Sequence, residues 1–557
     1  MKRKGKLSVL CLTLILVLTA CGSKTDNKKA EGNKGKEEKK VIQEEPGRQD
    51  GILDICIASE PDSIDPALNT SLDGGTMIQH MFEGLIKWEN DGNGNAVLKP
   101  GQADKWEVSD DKLTYTFHIR DGAKWSDGKP VTANDFLYSW NRLVDPNTGA
   151  DYEYMLDMVD GYDAKKLNIS APDEKTFVVK LHTPTPYFEE ICAFAATYPV
   201  RKDIVEGNDK WTLKPETYIS NGPYKLASWE HNQVINMEKN PEYYDADKIT
   251  AEKLAFHLKD DDNAIYASYR AKELDFIESV PTEEVKKLID NGELKINPQV
   301  GTYFVCFNTS KPPFDNAKVR KAFSLVIDRN FIVEQVTGKG QQPASGFVPS
   351  GVSDKDGASG DDFRTKGGDF YSINADDYTK NVEEAKKLLK EAGYPDGKGF
   401  PQIEYIYNTS EGHKAVAEAL QNMWQTELGV TVTLQNADWN VFLKDRKEGN
   451  YNIARHGWVA DYNDPMSFID MWMTGGGNND AQYSNPEFDK LVKEAKTTND
   501  TAKRFEDLHK AEDIAVKDDA IVAPIYFYTS PHMIKPNIEG LFYTPLGYYF
   551  FGETKGF

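Results

Sequence analysis

Apolar residues form two kinds of strand pattern along the chain. Residues 53–58 are almost continuously apolar and predict a buried strand. Residues 114–119 alternate between polar and apolar, and turn sequences at 110–111 and 121–122 flank them, so they also predict a strand. Sheet structure is therefore expected well before the middle of the chain.

Helical spacing is clearest in the second half of the chain. Residues 382–392 are amphipathic and stop at Gly393, and residues 414–428 form a second helical pattern that ends at Gly429. Residues 430–434 then predict a strand. Because helices and strands alternate in this order, we predict an α/β fold with a mixed or mainly parallel sheet.

The N-terminus has the pattern of a secretion signal. Four cations within residues 2–6 precede an apolar run at 7–18, which is too short to span a bilayer comfortably. The run ends in Leu-Thr-Ala before Cys21 and Gly22, and this sequence resembles the bacterial lipobox. We therefore expect residues 1–20 to be a lipoprotein signal peptide and Cys21 to be acylated. The alternative is an ordinary signal peptide followed by a chance cysteine.

Residues 21–50 are rich in Lys, Glu, Asn and Gly and have almost no apolar side chains. Such a segment cannot bury enough apolar surface to fold, so we expect a lipidated, disordered tether. The lipid would anchor the protein to a membrane that its own fold never enters. The remaining residues, 51–557, are too many for one hydrophobic core and predict roughly three domains.

Charge and cysteine content limit the partners. The formal net charge is −23, or about −27 without residues 1–21, which hold four cations and no acids. This acidity argues against nucleic-acid binding and against adhesion of the folded part to anionic lipid. Cys56, Cys192 and Cys306 remain in the mature chain. Their apolar neighbours favour buried thiols, although one chance bridge stays open.

Candidate chemistry concentrates at residues 455–465, Arg-His-Gly-Trp-Val-Ala-Asp-Tyr-Asn-Asp-Pro. Arg455 can hold a carboxylate bidentately, Asp461 can accept an ammonium, and a second backbone can approach Gly457 closely. These groups meet the needs of a free peptide, which is a zwitterion with a polar backbone. The alternative is a loop with a structural tryptophan, Trp458, and solvated charges.

Enzyme and metal motifs are missing from the sequence. It contains no Gly-x-Ser-x-Gly, no His-Glu-x-x-His and no Gly-x-x-x-x-Gly-Lys-Ser/Thr. Residues 91–95 look like the start of a calcium loop, but Ala96 stands where that loop requires glycine and no glutamate occupies its twelfth position. We therefore predict no enzyme activity, no metal site and no cofactor.

Further motifs follow one another along the chain and, together with residues 455–465, carry a family resemblance over about four hundred residues. They are residues 64–66 (Ile-Asp-Pro), 81–85 (Met-Phe-Glu-Gly-Leu), 125–136 (beginning Trp-Ser-Asp-Gly), 138–140 (Tyr-Ser-Trp), 221–224 (Asn-Gly-Pro-Tyr) and 314–322 (beginning Phe-Asp-Asn-Ala). Together with residues 455–465, they resemble family 5 of the bacterial extracellular solute-binding proteins, which includes the oligopeptide-binding proteins of ABC importers.

The resemblance implies a type II periplasmic-binding-protein-like fold, with two hinged lobes and an extra domain. Lobe I would combine residues 51–72, 201–304 and 529–557. The extra domain would be residues 73–200, and lobe II would be residues 305–528. The chain would cross between the lobes near residues 304 and 528, and closure on a ligand is the expected motion.

The resemblance also implies where a peptide binds. Asp461 matches the aspartate that holds the peptide α-ammonium; the alternative is a turn carboxylate satisfied by the backbone. The main chains of Gly457 and Val459 in lobe II would flank the ligand, although a simple turn explains Gly457 equally well. The main chains of Glu60 and Asp62 would flank it from lobe I.

Three cations match positions near the C-terminus of a bound peptide: Arg455, Arg446 and His413. A solvated surface position explains Arg446 about as well, and a helix N-terminal capping role competes for His413. Tyr138 and Trp458 would line the cleft, since tyrosine and tryptophan combine a flat apolar wall with one polar tip.

The implied function is capture of short peptides outside the cell and their delivery to the permease and ATPase subunits of an ABC importer. The protein would be a monomer, lipid-anchored at the outer face of the cytoplasmic membrane or located in the periplasm. Three alternatives remain. The same fold binds metal chelates, haem or oligosaccharides; the chain is a surface peptidase; or it is a receptor for peptide signals.

Overall fold

A computed structural model describes residues 51–57, 60–92, 96–355 and 361–557. The predicted signal peptide, the tether and Cys21 lie outside these residues. Among the helices of the described ranges, none is both long enough and apolar enough to cross a membrane.

Most strands belong to one large mixed sheet. Its strand order is β15-β14-β16-β12-β17-β11-β1-β10-β9-β8, and β13 pairs with β17. The strands, in chain order, are β1 (Ile52–Cys56), β2 (Ile86–Asn90), β3 (Ala96–Pro100), β4 (Ala103–Val108), β5 (Thr114–Ile119), β6 (Ile169–Ser170), β7 (Thr176–Lys180), β8 (Tyr224–Glu230), β9 (Val234–Lys239), β10 (Lys253–His257), β11 (Phe276–Ile277), β12 (Lys295–Phe307), β13 (Gln342–Pro343), β14 (Ile403–Asn408), β15 (Val432–Ala437), β16 (Ile453–Val459), β17 (Val522–Ile534), β18 (Phe542–Tyr543) and β19 (Tyr549–Phe550).

Helices cover this sheet and connect its strands. They are α1 (Leu72–Met81), α2 (Ala133–Val144), α3 (Phe188–Ile191), α4 (Lys202–Val205), α5 (Asp262–Arg270), α6 (Thr282–Asp290), α7 (Ala317–Leu325), α8 (Arg329–Phe331), α9 (Phe363–Gly367), α10 (Tyr378–Glu391), α11 (Glu411–Leu428), α12 (Trp439–Lys447), α13 (Met466–Ile469), α14 (Pro486–Thr497) and α15 (Thr501–Glu512). A smaller four-stranded sheet, in the order β4-β5-β7-β6, lies outside the large one.

Two long antiparallel strands, β12 and β17, join the two parts of the large sheet. One half of β12 pairs with β16, at residues 301–307, and the last residues of β17 pair with β11. The pairing between β12 and β17 loses its register between Pro298 and Thr302. The β12–β17 ribbon is therefore continuous along the chain but irregular at its middle.

The strand and helix predictions agree with the structure. The alternating segment forms β5 at the predicted residues, and the first apolar run forms β1. The two helical patterns form α10, which ends one residue before the predicted 392, and α11, which Gly429 closes in the left-handed conformation with φ +69°. The strand predicted at residues 430–434 is β15, which begins two residues later. The α/β prediction is confirmed, because β1–β10 and β14–β15 are parallel pairs within a sheet that also contains antiparallel ones.

Buried apolar residues form more than one cluster, as the chain length predicts. One cluster packs α7 and α11 against β14 around Phe323, Tyr405 and Trp424, and a smaller one lies around α5 and α6. Cys56, Cys192 and Cys306 are buried and free, so the prediction of buried thiols is confirmed.

Candidate ligand-binding cleft

A large cavity opens beside strand β16. Its volume is about 840 Å³, which lies in the range of small-molecule and cofactor sites. The lining includes the segment from Asp62 to Asp73, the ends of β16 and β17, and the start of α11. Among the residues of the described ranges, no group of three or more His, Cys, Asp or Glu is placed to hold a metal ion.

Strand β16 brings the central residues of the 455–465 segment to the cavity. Its pairing with β12 places Arg455 opposite Val305, and Gly457 opposite Tyr303. The strand alternates, so that Arg455, Gly457 and Val459 are half-buried while the residues between them are buried. A strand that alternates in this way presents every second residue to the cavity.

Trp458 also lines the cavity, although it is 8% exposed. Its indole N–H donates to the backbone oxygen of Ser467 at 2.7 Å. The interpretation as a structural tryptophan and the interpretation as a cleft wall therefore both describe this residue. The hydrogen bond fixes the ring in the cavity lining.

Asp461 follows β16 and is held from both sides. The Tyr152 hydroxyl donates to Oδ1 at 3.2 Å, and the backbone N–H of Asp461 donates to Ser467 Oγ at 2.9 Å. No donor from the described residues reaches Oδ2. Burial raises the pKa of Asp461 well above its usual range and Asp470 adds to the shift, while the hydroxyls of Tyr152 and Ser467 oppose it. A buried carboxylate with one open oxygen suits a ligand cation.

Gly457 lies in the strand, so the interpretation as a simple turn is wrong. A Cβ at this position would fall 2.1 Å from the Tyr528 hydroxyl oxygen. Glycine is therefore required for the close approach of a side chain from β17. The close approach of a ligand backbone to Gly457 stays a prediction.

Arg455 is a cation without a carboxylate partner within the described residues. Its guanidinium lies 3.3 Å from the Tyr528 hydroxyl and 5.1 Å from the centre of the Tyr303 ring. Burial favours the neutral form, but the surrounding tyrosines outweigh it and raise the pKa of Arg455. A charged guanidinium at the cavity wall suits an anionic group.

Arg446 is buried, so the interpretation as a solvated surface position is wrong. Its Nε lies 3.0 Å from Oδ2 of Asp480, and His456 Nε2 lies 3.1 Å from the same oxygen. Burial lowers the pKa of His456 to about 4, so the imidazole is neutral there. The charge of Arg446 is therefore already balanced by Asp480.

His413 lines the cavity but is not a cation. Burial lowers its pKa well below the usual range, and the charges of Arg455 and Lys339 lower it further. The capping interpretation is also wrong, because Ser410 caps α11 and its Oγ accepts from the His413 backbone N–H. His413 is a neutral imidazole, 3.3 Å from the Tyr303 hydroxyl.

Lys339 is a cleft residue that the sequence does not reveal. It lies in a loop between two glycines, and burial lowers its pKa, while Asp262 partly opposes the shift. No ion pair holds it within the described part of the chain. The charges of Lys339 and Arg455 both lower the pKa of His413, so two cations lie near one neutral ring.

Three of the residues predicted for lobe I and the extra domain have other roles. Asp62 lines the cavity, but its oxygens accept from Thr70 and Ser71. Glu60 is outside the cavity lining, and its carboxylate accepts from the backbone N–H of Asn232 at 2.9 Å. Tyr138, on α2, is also outside the lining and lies beneath Lys202 instead. Glu60 and Tyr138 therefore lie outside the cavity lining, and ligand contacts by the main chains of Glu60 and Asp62 stay a prediction.

Two acidic residues of the cavity lining are also not revealed by the sequence. Asp73 and Glu278 both line it. Burial and the neighbouring Asp62 raise the pKa of Asp73 to about 7. Burial, followed by Asp73, raises the pKa of Glu278. Sequence position gives no signal for either residue, because their proximity arises only when α1 and the β11 segment meet in the fold.

Comparisons with known proteins agree with this architecture. Residues 97–480 match the model of bacterial extracellular solute-binding proteins, family 5 middle. The chain is 37% identical to the oligopeptide-binding protein OppA of Bacillus subtilis, over 99% of both chains. It is also 37% identical to the periplasmic oligopeptide-binding protein OppA of Salmonella typhimurium, over 86% of this chain and 88% of the relative.

Solved structures give the same picture. The Escherichia coli murein tripeptide-binding protein MppA is 34% identical, covers 89% of this chain and 96% of its own, and superposes with a TM-score of 0.81. OppA of Haemophilus influenzae in complex with RPPGFSPFR is 34% identical, covers 87% and 95%, and gives 0.80. An unliganded open form of MppA, with coverage of 90% and 95%, gives only 0.59. The fold, the order of the motifs and these matches lead to one conclusion: the chain belongs to family 5 of the bacterial extracellular solute-binding proteins.

Proposed function

We propose that this protein captures short peptides outside the cytoplasm and delivers them to an ABC importer. One observation carries the proposal. Asp461 has a carboxylate oxygen without a donor among the described residues, and Arg455 has a guanidinium without an ion-pair partner among them, and both residues line the same cavity. A free peptide carries both complementary charges at its ends, whereas a sugar carries neither.

Each end of the peptide has a chemical partner in this proposal. The α-ammonium binds Asp461 and fixes which ligand residue comes first. The carboxylate binds Arg455 or Lys339, and the neutral His413 donates or accepts a hydrogen bond beside them. The peptide backbone pairs with the main chain near Gly457 and Val459, so recognition does not depend on the ligand side chains.

Relatives support the peptide assignment. Two of them are named oligopeptide-binding proteins, and the Haemophilus influenzae protein is described in complex with a nonapeptide. Binding in that structure concerns that protein alone. The relatives therefore favour a peptide ligand for this chain over the metal chelates, haem or oligosaccharides that the same fold binds elsewhere.

A hinge is part of the proposal. Residues 51–72, 201–304 and 529–557 form lobe I, residues 73–200 the extra domain and residues 305–528 lobe II. The register break in the β12–β17 ribbon, between Pro298 and Thr302, supports a bend close to the proposed crossing. A ribbon of two strands bends more easily where its ladder of hydrogen bonds is interrupted.

The proposal includes a lipid anchor at Cys21, a monomeric state and a cell-surface or periplasmic location. Its partners are the permease and ATPase subunits of the importer; nucleic acid is not a partner, and the membrane is contacted only through the lipid. The mature protein should begin at an acylated Cys21 and partition into detergent, and Cys21→Ala should abolish this. A soluble wild-type protein with a different first residue would remove the anchor from the proposal.

Binding and catalysis are separated by one experiment. Pools of tri- to pentapeptides should raise the melting temperature, because a ligand of the native state stabilises it. The same peptides should be recovered intact after long incubation. Stabilisation by a metal chelate or an oligosaccharide, with no effect of any peptide pool, would overturn the proposal. Cleaved peptides would favour the surface peptidase.

A further inference from the structure

Two distant segments of the chain meet beside the cavity. One is residues 151–190 and the other is residues 447–499. Tyr152 bonds Asp461, and the Asn463 backbone N–H donates to Glu190 at 2.9 Å. The rings of Tyr187 and Tyr462 stack with centres 4.3 Å apart. Every one of these contacts is made between protein atoms and needs no ligand.

Lys496 is the charged centre of this contact. It lies in the last turn of α14, and its Nζ is 3.0 Å from Oδ2 of Asp470 and forms an ion pair with Asp157. The Lys496 side chain is 11% exposed. Burial alone would lower the pKa of Lys496, but Asp157 and Asp470 outweigh burial and raise it. We call these three residues, Asp157, Asp470 and Lys496, the clasp.

The clasp lies behind the Asp461 site rather than in it. None of its three members lines the cavity within the described residues. The charge of Asp470 nevertheless raises the pKa of Asp461. Asp157 follows directly after the short helix at Glu153–Leu156, and Tyr152 immediately precedes that helix. A link from Asp157 to Asp470 therefore holds the Tyr152 hydroxyl against Asp461.

We propose that Lys496 is a positioning residue for the proposed peptide site: by bridging Asp157 and Asp470 it holds the wall that carries Tyr152 against the wall that carries Asp461. This inference rests on the proposed function. Because the clasp touches no ligand, it favours the closed cleft by the same factor whatever peptide is bound. Apparent affinity scales with the population of the binding-competent form, so loss of the clasp weakens all peptides alike.

The test compares four variants of the full-length protein. Lys496→Met leaves the buried Asp470 and the half-buried Asp157 without their cation, so affinity should fall by about tenfold to a hundredfold. Lys496→Arg restores the charge and should restore most of the affinity. Asp157→Asn breaks only the link across the two segments and should give a smaller loss. Lys490→Met is the matched control and should bind as the wild type does, because Lys490 lies on the exposed face of the same helix and, among the described residues, its ion pair is with Glu494.

Titration calorimetry with several unblocked tri- to pentapeptides is the first measurement. Equal loss for every peptide, in Lys496→Met and in the milder Asp157→Asn, supports the clasp. Unchanged affinity in both variants, or loss for some peptides only, overturns it. Asp157→Asn keeps the test valid if Lys496→Met does not fold, which a melting curve reveals.

Small-angle X-ray scattering separates this inference from the proposed function. Without added peptide, Lys496→Met should have a larger radius of gyration than Lys490→Met, because loss of the clasp lowers the population of the closed form. A wild-type protein that binds no peptide overturns the proposed function. In that case the radii of gyration of the two variants still test the clasp. Equal radii for the two variants overturn the clasp in either case.

Discussion

The Tyr152 hydroxyl lies 3.2 Å from Oδ1 of Asp461, although 309 positions separate the two residues. This contact occupies one carboxylate oxygen and leaves the other without a donor from the described residues. A side chain from the proposed extra domain therefore prepares a binding group of proposed lobe II. The proposed ligand site is built from both segments, and its geometry depends on their meeting.

Asp461→Ala should cost about 3–5 kcal/mol of peptide binding energy, because it leaves the ligand ammonium unpaired in a buried place. N-acetylated peptides should already bind the wild type weakly, and the variant should barely distinguish acetylated from free peptides. Titration calorimetry of the four combinations gives the coupling energy. A coupling energy near zero would show that Asp461 does not contact the ammonium.

Replacement by methionine should lower peptide affinity at Arg455 and protein stability at Arg446. Arg455 has no carboxylate partner among the described residues, so Arg455→Met should weaken peptide binding, by roughly tenfold or more, while C-terminally amidated peptides lose little. Arg446→Met should instead lower the free energy of unfolding by about 3–5 kcal/mol, since it strands the buried Asp480. Calorimetry and denaturant titration of both variants distinguish the two effects, and the reverse pattern would contradict both assignments.

Gly457→Ala should disturb the cleft through Tyr528. The new Cβ would fall 2.1 Å from the hydroxyl oxygen, and overpacking of this kind costs about 1–3 kcal/mol. Tyr528→Phe removes that oxygen, so the double variant should recover part of the lost stability. Gly412→Ala, whose Cβ would have no neighbour closer than 3.7 Å, is the matched control. Melting temperatures that are equal for Gly457→Ala and Gly412→Ala would contradict the clash.

His80 should make stability depend on pH. It is buried, its Nδ1 lies 2.7 Å from the Thr76 backbone oxygen, and its Nε2 accepts from the Phe551 N–H at 3.0 Å. Burial lowers its pKa to about 4, whereas an unfolded histidine titrates near 6.5. The unfolded chain therefore binds the proton first, and stability falls as the pH drops from about 6.5 to about 4, by up to about 3 kcal/mol in total.

The measurement for His80 is the slope of unfolding free energy against pH. His80→Gln should make the slope shallower by up to about 1.4 kcal/mol per pH unit in that window. His456 and His532, whose pKa values burial also lowers to about 4, keep part of the slope. An unchanged slope in His80→Gln would show that the residue is not buried as a neutral ring.

Local patterns predict the elements of this fold well. The alternation at residues 114–119 depends only on side chains that are neighbours along the strand, and β5 occupies those residues. Gly429 ends α11 because a left-handed residue there satisfies the last carbonyl groups, and that requirement is also local. Strand β16 likewise carries residues 455–459 to the cavity wall, and this placement depends on the local strand pattern.

The predictions that fail depend on distant partners. The sequence around Arg446 is equally typical of a surface residue, and only the fold shows its ion pair with Asp480. The sequence around His413 gives no sign that burial, Arg455 and Lys339 lower its pKa. Lys339 has no pattern around it that marks a binding residue. Pairing and desolvation are properties of the assembled fold, so no motif in the sequence encodes them.

The β12–β17 ribbon also constrains how the protein is made. Strand β17 begins at Val522, near the end of the chain, and it joins β12 to β11 in the middle of the large sheet. The sheet therefore stays incomplete until almost the whole polypeptide is available, however early its other strands are synthesised. Pairings between such distant residues form slowly. A nascent chain of this kind remains without its central sheet throughout translation, which suits the proposed export of the unfolded polypeptide across a membrane.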